Sequence, residues 1–240
     1  MVLRGSERRH QRRRQRDAWL SFAVDGSEAP RGFGDLQVLT ESVLQPGARV
    51  PRRGRVDTEI ITYVREGSLA YEDSTGASGV IQAGEFQRLT AGRTLLHSET
   101  NASHAHVHFF QLWVRPSSVE AGPGREQRRF SSADRRGGLC LVASADGRRG
   151  SLRIRQDALI YSAMLDRGQH VVHALLDRRG AWVQVVHGEV VLDGVLLAVG
   201  DGAGVVADRA VSLTASEASE ILLIDLGEPL PSSLGPVPAA

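Results

Sequence analysis

The sequence predicts an all-β protein made of two small barrel-like domains. Short β runs broken by glycine turns recur over residues 33–116 and again over 126–227, and helix-period patterning is nearly absent. Glycines punctuate both regions in the same way, with Gly67, Gly76 and Gly84 in the first and Gly188, Gly194 and Gly200 in the second. Many short strands separated by turn signals are the pattern of a sandwich or barrel, and the internal echo fits two barrels of one kind.

Along the chain, residues 1–16 hold Arg8, Arg9, Arg12, Arg13, Arg14 and Arg16 with almost nothing apolar. Such a segment buries too little surface to offset chain entropy, so a disordered basic arm is expected there. The first domain, 17–116, is expected to carry strands at 36–44, 59–64, 68–71, 79–81, 86–89 and 107–114. Asp73-Ser74-Thr75-Gly76 supplies hairpin-turn chemistry. Residues 117–125 read as a linker from their Pro, Gly and Ser content. The second domain, 126–227, shows its clearest strands at 181–186, 189–192, 196–198 and 220–226. The Pro-rich segment 228–240 is expected to be a loose tail.

A hydrophobic fraction of 41% over 240 residues supports packed cores. No stretch approaches the roughly 20 apolar residues needed to span a bilayer, and the N-terminus lacks the apolar core of a secretory signal. Cys140 is the single cysteine. No intramolecular disulfide is available, a reducing, cytoplasmic setting is favoured, and the thiol reads as a buried strand residue. The formal net charge of +1 gives no global push toward nucleic acid. No P-loop, dinucleotide fingerprint or nucleophile elbow is present.

The most informative stretch is 79–99, which ends in His97-Ser98-Glu99. Residues two apart on a strand share a face, so the imidazole and the carboxylate point the same way. Thr58-Glu59-Ile60-Ile61-Thr62-Tyr63-Val64, Glu66-Gly67, Asp73-Ser74-Thr75-Gly76, Gly84, Gln87, Thr90-Ala91-Gly92, His97-Ser98-Glu99 and Gln111-Leu112-Trp113-Val114 follow one another in the order and spacing of a known family. Over residues 33–116 the chain closely resembles the pirins, a branch of the cupin superfamily, and a looser likeness continues to about Leu226. The resemblance implies a bicupin, two small β-barrels packed face to face. It also implies a mononuclear metal site, usually for iron, with His-x-His on one strand and His-x-Glu on another. Those four positions fall on Arg53, Arg55, His97 and Glu99, so only two of the four ligands are kept. The exclusive use of arginine over lysine reads as the compositional bias of a GC-rich bacterial genome, so arginine runs alone are given little weight.

Arginine stays protonated and has no lone pair to offer a metal. The site is therefore expected to be degenerate, with no cofactor or a weakly held divalent metal (Fe, Ni or Zn) on His97 and Glu99. In one reading, Arg53 or Arg55 pairs with Glu99 and replaces the charge of the dication. In another, the arginines open into an anion-binding pocket, and Arg53, Arg55, His97 and Glu99 bind a carboxylate, phosphate or phenolate. In a third, His97 and Glu99 are packed relics. His104, His106 and His108 would share a face on a strand, and either lie near the surface or supply a replacement ligand. His170, His173 and His187 belong to the second domain. No His-x-Glu accompanies them, since the corresponding segment reads Ala210-Val211-Ser212.

Two functions follow from the resemblance. The chain is expected to be a binding or regulatory protein for an anionic or phenolic small molecule or a partner protein, without membrane or nucleic-acid partners. The alternative is a metal-dependent quercetin (flavonol) 2,3-dioxygenase, with Glu99 as the base.

Overall fold

The computed structural model describes residues 1–240 apart from 24–28, 31, 56, 93–94, 118–122 and 228–240; the side chains of 51–53 and 55 also lie outside the described residues. The expected tail and part of the expected linker therefore fall outside them. No helix among the described residues is long and apolar enough to cross a membrane.

Each half of the chain is a seven-stranded sheet facing a four-stranded one. In the first half the large sheet runs Gly124–Arg129, Glu85–Thr90, Glu59–Glu66, Val107–Val114, Leu36–Leu44, Arg16–Phe22, Arg9–Arg13. The small sheet runs Arg49–Arg55, Leu95–Thr100, Ser68–Asp73, Ser78–Gln82. In the second half the large sheet runs Val2–Leu3, Gly202–Val206, Gly180–His187, Ser219–Leu226, Ala158–Leu165, Cys140–Ser144, Leu152–Arg153. Its partner runs His170–Ala174, Ala210–Ala215, Glu189–Leu192, Val195–Ala198. The fold is an all-β bicupin, as expected. Some strands outlast their last apolar residue, because backbone pairing continues past the core-facing positions; the expected 59–64 becomes Glu59–Glu66. Gly67 and Gly188 close equivalent turns at φ +76° and +73°. A Cβ there would stand 2.5 Å from the His106 carbonyl and 2.4 Å from that of Ala218, so only glycine fits.

The largest core lies between the barrels. Phe22, Ile61, Tyr63, Phe86, Phe110 and Leu112 of the first half pack there against Val142, Ile160, Trp182, Leu222 and Ile224 of the second. Strand Ser219–Leu226 is buried on both faces: Leu222, Ile224 and Leu226 enter this seam while Ile221 and Leu223 fill the second barrel. A buried polar cluster is set into the seam. Ser131 and Asp134 form a reciprocal capping box at the start of a one-turn helix, Ser132–Arg135. That turn delivers Arg135 Nη1 to Glu220 Oε1 and to Tyr63 Oη, each at 2.8 Å, and the Tyr63 hydroxyl also donates to Glu220. Burial, and then the Glu220 charge, push the Tyr63 phenol up, so it remains a neutral donor.

Two expectations are corrected. Residues 1–16 are ordered: Val2–Leu3 pairs with Gly202–Val206 of the second barrel, and Arg9–Arg13 pairs with Arg16–Phe22 of the first. Strand pairing uses backbone groups, which composition does not report, and Arg4 and Arg8 have acidic partners. Asp201 accepts from Gly5 N–H at 2.6 Å and from Arg4 Nη1 at 2.8 Å, while Arg8 Nη2 reaches Glu41 at 2.7 Å. The domain boundary also moves. Gly124–Arg129 is the edge strand of the first barrel's large sheet, paired with Glu85–Thr90, so residues 126–129, expected within the second barrel, extend the first. Each half thus lends the other one edge strand. Cys140 opens its strand half-buried rather than buried as expected, and burial, then the Asp134 charge, raise its thiol pKa.

Arg135→Met should cost roughly 3–5 kcal/mol in urea unfolding, because Glu220 stays buried with its main cation gone. Tyr63→Phe should cost only about 1 kcal/mol. Burial opposes ionisation of Asp201, but the Gly5 N–H, Arg4 and the Ala198 N–H outweigh it and hold the carboxyl below its ordinary value of 3.8. Its contribution is therefore complete above that value and is lost as pH falls through the lower folded one. Melting curves from pH 6 to pH 3 (about the range that spans carboxylate titration) should show a smaller acid-induced drop in Tm for Asp201→Asn than for the native chain.

Candidate functional site

His97, Ser98 and Glu99 lie on strand Leu95–Thr100, between Arg49–Arg55 and Ser68–Asp73. Pleating sends His97 and Glu99 into the first barrel, where both are buried. The Ser98 hydroxyl faces the other way and reaches the Glu72 carbonyl at 3.4 Å. His97 Nε2 and Glu99 Oε1 are 3.2 Å apart. The pairing of their strand with Arg49–Arg55 is irregular between His97 and Glu99, and sets the backbone of Arg53 beside His97 and that of Arg55 beside Leu95. The side chains of Arg53 and Arg55 lie outside the described residues, so the expected pairing with Glu99 does too.

Several site residues come from other strands. Gln111, on Val107–Val114 of the opposite sheet, donates Nε2 to Glu99 Oε1 at 2.6 Å and to Thr62 Oγ1 at 3.3 Å. Asp73 pairs with His97 and Tyr71 with Glu99 across the neighbouring strand. Arg125 enters from the exchanged strand Gly124–Arg129. Its Nη2 is 2.6 Å from Asp73 Oδ2, it donates to Gln87, and its guanidinium lies 3.8 Å from the centre of the Tyr71 ring. Burial works against the Asp73 charge, but the Thr75 hydroxyl and Arg125, with the Thr75 N–H, hold its carboxyl below the ordinary range. The barrel interior thus contains two buried carboxylates. Arg125 balances Asp73, while among the described residues Glu99 has a neutral amide and an imidazole.

Sequence reasoning identified His97 and Glu99 but not the roles of Gln111, Asp73 or Arg125. Gln111 and Asp73 carried a signal, since both fall within the family-like segments, whereas Arg125 read as linker. His97 Nδ1 is buried and has no hydrogen-bond partner among the described residues. No group of three or more His, Cys, Asp and Glu side chains is placed to hold a metal among the described residues. The idea that His104, His106 or His108 completes the set is overturned. His108 bonds Glu41 at 2.8 Å, His106 lies 3.2 Å from Glu66, and His104 is exposed, all of them away from His97. In the second barrel, Leu192 stands as far beyond Gly188 as Tyr71 does beyond Gly67. It pairs with Leu213, as Tyr71 pairs with Glu99. Leu213 and Val211 therefore occupy the places of Glu99 and His97 and are packed in the second core. His173, opposite Val211, is instead paired with Asp225 at 2.7 Å.

Gln111→Leu should destabilise the chain by about 1.5–3 kcal/mol in chemical denaturation, since a buried carboxylate loses its amide donor. Ser98→Ala, on the outer face, should cost less than about 1 kcal/mol.

Comparison with known proteins matches both halves. Residues 4–114 match the family model described as Pirin, and residues 141–226 match that of the quercetinase C-terminal cupin domain. A protein of Escherichia coli K12 named quercetin 2,3-dioxygenase is 36% identical over 228 residues, which are 94% of this chain and 97% of that one. A pirin-like protein of Caulobacter vibrioides is 32% identical over 207 residues, 86% of this chain and 89% of that one. Among solved structures, the bacterial pirin YhhW of Escherichia coli in complex with nickel(II) superposes with a TM-score of 0.89 at 35% identity, covering 95% of this chain and 100% of that one.

Proposed function

Since the chain belongs to the pirin family, we propose that it is a pirin-type bicupin whose first barrel binds a small anionic or phenolic ligand in a binding or regulatory role, without a resident redox metal. The observation that carries this reading is the register that sets Arg53 beside His97. Where the resemblance calls for His-x-His, the chain supplies two groups with no lone pair and a permanent positive charge. The remaining donors, His97 and Glu99, number two, fewer than the three protein ligands that hold a catalytic divalent metal. The donor set does not fit the metal, so no catalytic step is assigned to one. A guanidinium is instead suited to a carboxylate, phosphate or phenolate oxygen, which it can grip with two parallel hydrogen bonds. Arg125 over Tyr71 adds a cation and an aromatic face to the same barrel interior.

A second reading is a pirin-type quercetin 2,3-dioxygenase with a weakly held Fe, Ni or Zn ion on His97 and Glu99, and Glu99 as base. It is favoured by the 36% identity to a relative of that name and by the retained His-x-Glu pair.

Elemental analysis of tag-free protein from iron-replete cells decides between them. The proposed role expects metal far below one per chain and no turnover of quercetin. The double variant Arg53→His/Arg55→His, which supplies the two missing imidazoles, should then bind close to one divalent metal per chain. Stoichiometric metal or flavonol turnover in the native chain would overturn the proposal in favour of the dioxygenase.

A further inference from the structure

A cavity of about 670 Å³ opens where the two halves meet, away from the first-barrel interior. Arg88 of strand Glu85–Thr90 lines it from the first barrel, Ser117 from the connection, and Arg153, Arg155, Gln156 and Asp157 from the second half. Its volume lies within the range of small-molecule sites. Its lining has more cations than carboxylates, and the carboxylates nearby are already engaged. Glu59 is buried and accepts from the Arg155 N–H at 2.6 Å and the Thr90 hydroxyl at 2.9 Å. Glu126 accepts from Arg128 Nε at 2.9 Å and the Arg153 N–H at 3.0 Å, and lies 3.8 Å from Arg88 Nη2. Asp157 accepts from Arg179 Nη1 at 2.8 Å.

The backbones of Arg153 and Arg155 are thus tied down, while their guanidiniums have no partner among the described residues. Arg88 Nε is a further buried donor without an acceptor. Arg88 is itself held by the Thr90 hydroxyl and lies near Glu126, so the two cations of the lining left for a ligand of opposite charge are Arg153 and Arg155. We infer that this inter-barrel cavity is a binding site for a small polyanion bearing two or more phosphate or carboxylate groups, gripped by Arg153 and Arg155 with Arg88 lining the first-barrel side. The site is separate from the first-barrel role and does not depend on it. Its ligand touches both halves and braces their seam.

Calorimetric titration of the full chain with inorganic pyrophosphate, and separately with citrate, tests the inference. Saturable binding of either probe is expected, with a matching rise in Tm; the probe that binds tells phosphate from carboxylate preference. Arg153→Gln/Arg155→Gln should weaken that binding by about tenfold or more. Arg53→Gln/Arg55→Gln, which alters only the first barrel, should leave it unchanged. Should the first double variant fail to fold, mass spectrometry of the native chain gives the answer. Pyrophosphate or citrate should shield Arg153 and Arg155 from phenylglyoxal. Absence of binding by both probes, binding that survives Arg153→Gln/Arg155→Gln, loss of binding in the first-barrel variant alone, or unshielded Arg153 and Arg155 would each overturn the inference.

Discussion

The seam between the barrels constrains everything else. Central strands such as Gly180–His187 and Ser219–Leu226 must be apolar on both faces, since one face fills a barrel and the other fills the seam. Apolar contact is non-directional and would tolerate many relative orientations of the two halves. The Arg135–Glu220–Tyr63 cluster is directional. Against a well-packed apolar replacement such a cluster gives little net stability, but any orientation that separates its members leaves a charge buried and unpaired. The capping box at Ser131 places Arg135 at the end of one helical turn, so a purely local sequence feature fixes a contact between residues 85 positions apart.

The exchanged edge strands work toward the same end. Val2–Leu3 completes the second barrel and Gly124–Arg129 completes the first, so each half covers an otherwise open edge of the other. This was the part least legible in the sequence. The core strands announced themselves through apolar runs and glycine turns, since side-chain periodicity reports which face is buried. An edge strand is held by backbone groups, and Arg9–Arg13 and Gly124–Arg129 carry mostly charged or polar side chains that show no apolar periodicity. Composition alone read the first as a disordered arm and divided the second between the linker and the second domain.

Legibility of the candidate site divides on the same principle. His97 and Glu99 sit two apart on one strand, so their shared face follows from local geometry. Gln111 reaches Glu99 from the opposite sheet, Asp73 lies beside His97 on the neighbouring strand, and Arg125 meets Asp73 from a third strand, contacts that only the folded chain shows. The second barrel shows what the scaffold does without such a site. Leu213 and Val211 fill the positions of Glu99 and His97, and the nearby ionisable groups, His173, Asp225 and Arg179, neutralise one another. One strand framework thus holds a closed apolar core in one half and a polar interior in the other.

That polar interior is physically consistent with the role proposed for the two arginines. Asp73 and Glu99 are both buried, and a buried carboxylate that keeps its charge needs a nearby cation or several donors. Asp73 has Arg125 at 2.6 Å and the Thr75 donors. Among the described residues Glu99 has one amide and one imidazole, and in the proposed reading the charge that completes its balance belongs beside His97, where the family resemblance places a dication. The residue whose backbone registers there is Arg53. In the proposed reading a covalently fixed cation replaces an exchangeable one: the barrel keeps its electrostatic balance, loses the open coordination positions that redox chemistry requires, and gains hydrogen-bond donors suited to an anionic oxygen.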